Sequence, residues 1–230
     1  MNRRLNCIAA YVPFGRGMID VGTDHGYLPV ALAKRGYPGR LIASDIHEGP
    51  LRTAREHAAA NGLSERLEFS LCDGLDACDP DSVDSIVIAG MGGDTICDIL
   101  DRAEWCLDGR YTLILQPMSH AEVLRYWLIH NGFGITAEDL AEENGFLYAI
   151  LAARFGEPTR LSDAELFTGS ADLLRAHPLF PRLREQQKRR FQKALHSLEK
   201  TDNPALGARK TLLREMLAEL EEMTPHGNHP

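Results

Sequence analysis

The stretch Met18-Ile-Asp-Val-Gly-Thr-Asp-His-Gly-Tyr-Leu-Pro29 joins a short apolar run to a glycine-bearing turn and then to a helix opening. Met18 to Gly22 reads as a buried strand entering a tight turn. Tyr27 to Arg35 reads as a helix, with Pro29 tolerable in its first turn and Gly36 as its stop. A strand, a glycine turn and a helix in that order form the first unit of a doubly wound α/β sheet.

The same alternation continues outward. An opening helix is expected over Arg3 to Val12, ended by Pro13. Downstream, strands are expected at Leu41–Asp45, Leu67–Cys72, Ser85–Ala89 and Thr112–Leu115. Helices are expected between and after them at Pro50–Asn61, Thr95–Ala103 and His120–Asn131. Such spacing implies a parallel sheet covered by helices. The pattern then changes: Ile135–Glu143 and Phe146–Phe155 are strand-like and are joined by Asn144-Gly145. Asn-Gly supplies the two positive-φ residues of a type I′ hairpin turn, so an antiparallel hairpin should close the sheet. Residues 156–178 read as irregular. Two helical stretches follow, about Arg182–Lys200 and Pro204–Glu222, whose apolar stripes suit a helical hairpin. The tail Pro225–Pro230 reads as disordered. Two domains result, 1–157 and 158–230.

The chemistry-bearing residues fall at the predicted carboxyl ends of strands, where open α/β sheets bind ligands. Asp20, Gly22, Thr23, Asp24 and Gly26 make the first turn, which suits a carboxylate or a phosphate at the helix opening. Asp45, followed by Ile46, lies 19 residues beyond Gly26. An acid there can accept both hydroxyls of a ribose, or be an ordinary loop acid. Asp73-Gly74 can take an adenine amino group or cap a turn. Ala89-Gly90-Met91-Gly92-Gly93 opens space over the centre of the sheet. Gln116 carries donors and an acceptor suited to a base edge. His120 reads equally as a pocket residue or as a helix start, and His25 and Tyr27 as pocket residues or as packing.

The net charge of −8 speaks against nucleic acid until its distribution is seen. Residues 1–160 hold 14 basic and 23 acidic side chains, residues 161–230 hold 11 and 10. Arg182 to Lys200 carries seven basic residues against two acids, among them Arg182, Arg184, Lys188, Arg189, Arg190 and Lys193. That patch suits phosphates, with a solvated helix face as the other reading. No run approaches the roughly 20 apolar residues of a membrane helix, and no secretory h-region follows Met1-Asn2-Arg3-Arg4, so cytoplasmic residence is expected. The five cysteines show no Cys-x-x-Cys spacing and the nine histidines are scattered, so neither disulfides nor a metal site is expected. No nucleophile elbow or phosphate-binding P-loop occurs.

NAD and S-adenosylmethionine both fit an acid after the second strand. The dinucleotide fingerprint Gly-x-Gly-x-x-Gly needs a second glycine where this chain has Asp24. A carboxylate there repels pyrophosphate and tolerates the ammonium or sulfonium of S-adenosylmethionine. The closing hairpin points the same way, so a dehydrogenase is disfavoured.

Taken together, Asp20-Val-Gly-Thr-Asp-His-Gly-Tyr-Leu-Pro, Asp73-Gly-Leu, Ile88-Ala-Gly-Met-Gly-Gly and Ile114-Leu-Gln-Pro closely resemble the bacterial TrmK family, tRNA (adenine-N1)-methyltransferases acting at position 22. The resemblance runs in order from about Arg4 to Phe155. It implies a class I, Rossmann-like methyltransferase domain that uses S-adenosylmethionine, followed by a helical hairpin that helps hold tRNA. Asp24 departs from the general class I loop and agrees with this family. The implied cofactor set is Asp20, Gly22, Thr23, Asp24, Gly26, Asp45, Ile46, Asp73, Gly74, Ala89, Gly90 and Met91. Asp24, His25, Tyr27, Gln116 and His120 are the candidates for catalysis and base positioning, and a monomer is favoured. A methyltransferase for another RNA, protein or small molecule, and a cofactor-binding RNA scaffold without activity, stay open as alternatives.

Overall fold

The computed structural model describes residues 3–201 and 203–223. The expected disordered tail, Pro225–Pro230, lies outside the described residues. The chain divides into two compact units at Thr159/Arg160.

In the first unit the elements run α1 (Arg3–Tyr11), β1 (Gly17–Val21), α2 (Tyr27–Lys34), β2 (Arg40–Asp45), α3 (Glu48–Ala60), β3 (Glu68–Leu71), β4 (Ser85–Gly92), α4 (Gly93–Arg102), β5 (Thr112–Ser119), α5 (Ala121–His130), β6 (Phe133–Glu143) and β7 (Phe146–Phe155). They build one seven-stranded sheet in the order β3-β2-β1-β4-β5-β7-β6. The first five strands are parallel, and β7 runs antiparallel to both β5 and β6. β1 is buried along its whole length, as is the first half of β4, which is why both read as unbroken apolar runs around Asp20. The expected hairpin is present, with Asn144 at φ 52° and Gly145 at φ 82°.

Two strands run further than expected. β4 continues past Ala89 to Gly92 and β5 past Leu115 to Ser119, because the pair holds together through irregular register at Ala89–Gly92. Those extensions hold the glycine stretch and the fully buried Gln116. The hairpin is fixed from both sides. Arg125 of α5 donates to Glu138 of β6 at 2.7 Å, both side chains being 1% exposed. On α1, the Cys7 thiol and Tyr11 hydroxyl both donate to Asp139 of β6, at 3.0 and 3.2 Å. Burial and this neighbouring carboxylate push the Cys7 thiol up to about 12, so it stays protonated and inert.

The second unit holds α6 (Asp163–Thr168), α7 (Ala171–Leu174), α8 (Phe180–Glu199) and α9 (Gly207–Glu222). The first two correct the expectation that residues 156–178 are irregular. Ser162 and Glu165 form a reciprocal capping box, the hydroxyl accepting from the Glu165 amide at 3.1 Å and the carboxylate from the Ser162 amide at 3.0 Å, which starts a helix in a Gly/Pro-rich stretch. α8 and α9 pack antiparallel, joined by Lys188–Glu221 and Arg214–Glu199 ion pairs at 2.8 Å each. Phe180, Phe191, Leu213, Met216 and Leu220 are buried in this unit.

Candidate active site

The strand order reverses between β1 and β4, and two adjoining cavities open at the carboxyl ends of these strands. One, about 480 Å³, lies over β2 and β3 and is lined by Gly22, Asp45, Ile46, Asp73, Gly74, Ala89, Gly90 and Met91, with Arg102 and Ile99 of α4. The other, about 420 Å³, lies under α1 and is lined by Arg4, Leu5, Asp20, Gly22, Thr23, Asp24, Tyr27, Leu28, Ala89 and Gly90. Gly22, Ala89 and Gly90 belong to both. Gly22 has φ 72°, a conformation that favours glycine, and a β-carbon there would come within 2.4 Å of the Met91 methyl, the mobile end of that side chain. Gly26 lines neither half; it begins α2 and lies against Ala54 of α3.

The first half fits a ribose and a planar base. Asp45 stands at its floor with one oxygen accepting from the His47 amide at 2.8 Å, and Ile46, Met91 and Ile99 supply apolar walls. Asp73 is engaged by the Arg102 guanidinium at 2.9 Å. Arg102 also reaches Asp76, at 3.3 Å, so the carboxylate at this end of the cavity is held by a side chain that sequence spacing does not reveal.

The second half is acidic. Asp20 is buried, and the Thr23 hydroxyl donates to it at 2.7 Å. Burial raises the Asp20 carboxyl to about 7, against the lowering effect of Thr23 and with a further upward push from Asp45. The amides of Gly22 and Thr23 both donate to the Ser44 carbonyl, at 2.8 and 2.9 Å. The turn therefore offers carboxylates where a dinucleotide site would offer free amides to a pyrophosphate. Asp24 lines the same half in the left-handed region, φ 53°, a conformation Asp tolerates better than most residues. Its side chain is largely exposed, 3.5 Å from Nε2 of His25.

Arg4 is the member of this half that sequence reading passes over. From α1 it donates to Oε1 of the fully buried Gln116, lies 3.5 Å from Glu143 of β6, and stands over the Tyr148 ring of β7 with 5.7 Å to the centroid. Its only sequence signal is a basic residue in an amphipathic helix. The topology places it as the cation of a cavity whose other charged lining residues, Asp20 and Asp24, are acids. Gln116 thus sits behind Arg4 and lines neither cavity; its amide nitrogen donates to the Pro117 carbonyl at 2.8 Å. Tyr27 lines the acidic half, with His25 and His57 rings 5.4 and 4.9 Å away. His120, at φ 53°, begins α5 and contacts Asp94 of α4; it lines neither cavity. Among the described residues no cluster of His, Cys, Asp or Glu could hold a metal ion, and no helix is long and apolar enough to cross a membrane.

A family model described as a methyltransferase domain matches residues 1–151. The tRNA (adenine(22)-N(1))-methyltransferase of Bacillus subtilis is 36% identical over 157 residues, 68% of this chain and 66% of that protein's own length. The chain belongs to the TrmK family. The crystal structure of the B. subtilis m1A22 tRNA methyltransferase TrmK superposes with a TM-score of 0.86 at 28% identity, covering 98% of this chain and 99% of that one. A Streptococcus pneumoniae structure in complex with S-adenosyl-L-methionine superposes with a TM-score of 0.82 at 32% identity, covering 98% and 100%.

The two structural matches cover the second unit as well, and there the basic residues of α8 divide into two sets. Arg182, Arg189, Arg190 and Lys193 are exposed, and Arg182, Arg189 and Lys193 recur at the spacing of one helix face. Lys188 is tied to Glu221, and Arg184 has a buried guanidinium nitrogen. Those two side chains are half-buried within their own unit.

Proposed function

We propose that this TrmK-family chain methylates N1 of adenine 22 in tRNA, with S-adenosylmethionine as donor. The observation that carries this reading is the paired cavity: an adenosine-sized half around Asp45 joined at Gly22 and Gly90 to a half holding Asp20, Asp24 and Arg4. Asp45 takes the ribose hydroxyls, Ile46, Met91 and Ile99 flank the base, and Asp20 with Arg4 takes the ammonium and carboxylate of the amino-acid end. S-adenosylmethionine, when bound, would supply an electrophilic methyl group to the in-plane lone pair of adenine N1, its S–CH3 bond breaking so that S-adenosylhomocysteine leaves.

No proton has to leave N1 before it reacts, so the side chains act by position and charge. Adenine N1 lies on the Watson–Crick edge, and the base must be unpaired and turned out of its stack to enter. Tyr27, at the mouth of the acidic half, offers a ring to stack on. The product base is cationic, and Asp24 stabilises the charge as it develops. Arg4, held by Gln116 and Glu143, keeps the amino-acid end fixed so that the reacting atoms meet in line. His25 holds Asp24. The exposed set Arg182, Arg189, Arg190 and Lys193 contacts tRNA phosphates. The enzyme works as a monomer in the cytoplasm, with tRNA and the methyl donor as its soluble substrates.

A methyl on N1 blocks Watson–Crick pairing. Reverse transcription of treated, previously unmodified tRNA should therefore stop next to adenine 22. Full-length extension after prolonged incubation would exclude this reaction.

A further inference from the structure

Several basic side chains of the first unit are neutralised within it: Arg40, Arg55, Arg102, Arg110 and Arg125 are each ion-paired. Lys34 and Arg35, at the end of α2, are exposed, and no described carboxylate pairs with either. Arg35 instead donates to the side-chain oxygen of Asn6 at 3.2 Å, a neutral partner that leaves its charge uncompensated. The two cations are adjacent and face the same cavity, in a region with nine more acids than bases.

These two residues line a cavity of about 370 Å³, separate from the two halves of the active site. Its remaining lining is Asn6 of α1, Tyr27, Val30 and Ala31 of α2, and His57 of α3. Tyr27, Val30, Ala31 and Lys34 recur at helical spacing, so they form one face of α2 with an aromatic ring at one end and a cation at the other. The seven helical steps from Tyr27 to Lys34 span about 10 Å, enough for a base on the ring and its phosphate on the cations. The Tyr27 ring is packed edge-on by His57, whose Nδ1 lies 3.0 Å from the His25 carbonyl. Tyr27 is the wall between this cavity and the acidic half of the active site.

We propose that this cavity is a second nucleotide site, which holds a nucleotide adjoining the target adenine. Its base lies against Tyr27 and His57, and its phosphate lies between Lys34 and Arg35. The proposal rests on the tRNA reading above. A flipped-out base drags its neighbours with it, and a site for one of them beside the entrance offsets part of the cost of unstacking.

The test uses the full chain and an unmodified tRNA transcript. 4-Thiouridine replaces, one at a time, the nucleotides on the 5′ and 3′ sides of adenine 22. Ultraviolet cross-linking is followed by peptide mapping. One of the two positions should cross-link to the segment Tyr27–Arg35. In the double variant K34E/R35E that cross-link should fall at least fivefold. Its Kd for tRNA should rise about tenfold, and the log–log salt slope should flatten by about 0.7 to 0.9 for each phosphate it no longer neutralises. Its Kd for S-adenosylhomocysteine, which confirms folding, should match the parent's. Cross-links that map only elsewhere, or a double variant with the parent's Kd and salt slope, would overturn the proposal. A cross-link at α2 without methylation of adenine 22 would sink the reaction proposed above and keep the cavity as an RNA site. Methylation by the double variant with parental kinetic constants would sink the cavity alone.

Discussion

A buried carboxyl raised to about 7 changes its charge across neutral pH, and Asp20 is such a group. In the unfolded chain the same carboxyl titrates near 3.8. Between those values the folded chain binds more protons than the unfolded one, so ligand-free stability falls as pH rises through this window and levels off above about 7. An ammonium ligand needs the ionised form. Affinity for S-adenosylhomocysteine should therefore rise from pH 6 to pH 8 by calorimetry, and the rise should vanish in Asp20→Asn. A flat profile in the parent would contradict the placement of the ammonium at Asp20. Arg4→Ala should weaken the same ligand about 10- to 100-fold, the usual loss for a charge-assisted hydrogen bond. Asp24→Ala should lower kcat about 10- to 1000-fold at saturating substrates, as the loss of an electrostatic stabiliser does. Unchanged turnover would remove Asp24 from the chemistry. The place of Asp20, Asp45 and Gly90 around the cavities was legible in the sequence because a parallel sheet gathers its strand ends at one edge, so position along the chain becomes position around the cavity. Arg4 was not, because only the packing of α1 onto the hairpin brings it there. The roles read for Gln116 and His120 did not account for side chains already engaged, by Arg4 and by Asp94.

At the scale of elements, a buried ion pair anchors one side of the closing hairpin. Arg125 and Glu138 join α5 to β6 away from solvent. Glu138→Ala leaves the guanidinium buried beside a missing partner and should cost about 3–5 kcal/mol in urea unfolding. A loss below about 1 kcal/mol would mean that water reaches Arg125 in the native state. The hairpin itself was legible from Asn144-Gly145, since the turn chemistry is local. The ion pair was not, because its partners belong to different elements and each reads as a surface charge. The helices α6 and α7 were overlooked for a related reason. Gly156, Pro158 and Gly169 dominate the composition, while the deciding signal, Ser162 with Glu165, is a pair of side chains that cap the helix start.

Over the whole molecule, charge is sorted between the two units. The first is acidic and encloses an acidic cavity, and the second presents Arg182, Arg189, Arg190 and Lys193 on α8. The triple variant R182E/R189E/K193E should bind tRNA more weakly, with a shallower salt slope, and keep parental affinity for S-adenosylhomocysteine. Parental tRNA binding would assign those residues to an ordinary solvated face. Composition showed where the basic charge lies along the chain; only the helical packing showed that Arg184 and Lys188 are half-buried, Lys188 against Glu221 of α9. The central claim is methyl transfer to N1 of one adenine. Unmodified bacterial tRNA transcripts, incubated with labelled S-adenosylmethionine and digested for nucleoside mass spectrometry, test it most directly. The account predicts 1-methyladenosine that disappears when adenine 22 is replaced. No label in any transcript, from a chain proven to bind the cofactor, would contradict it.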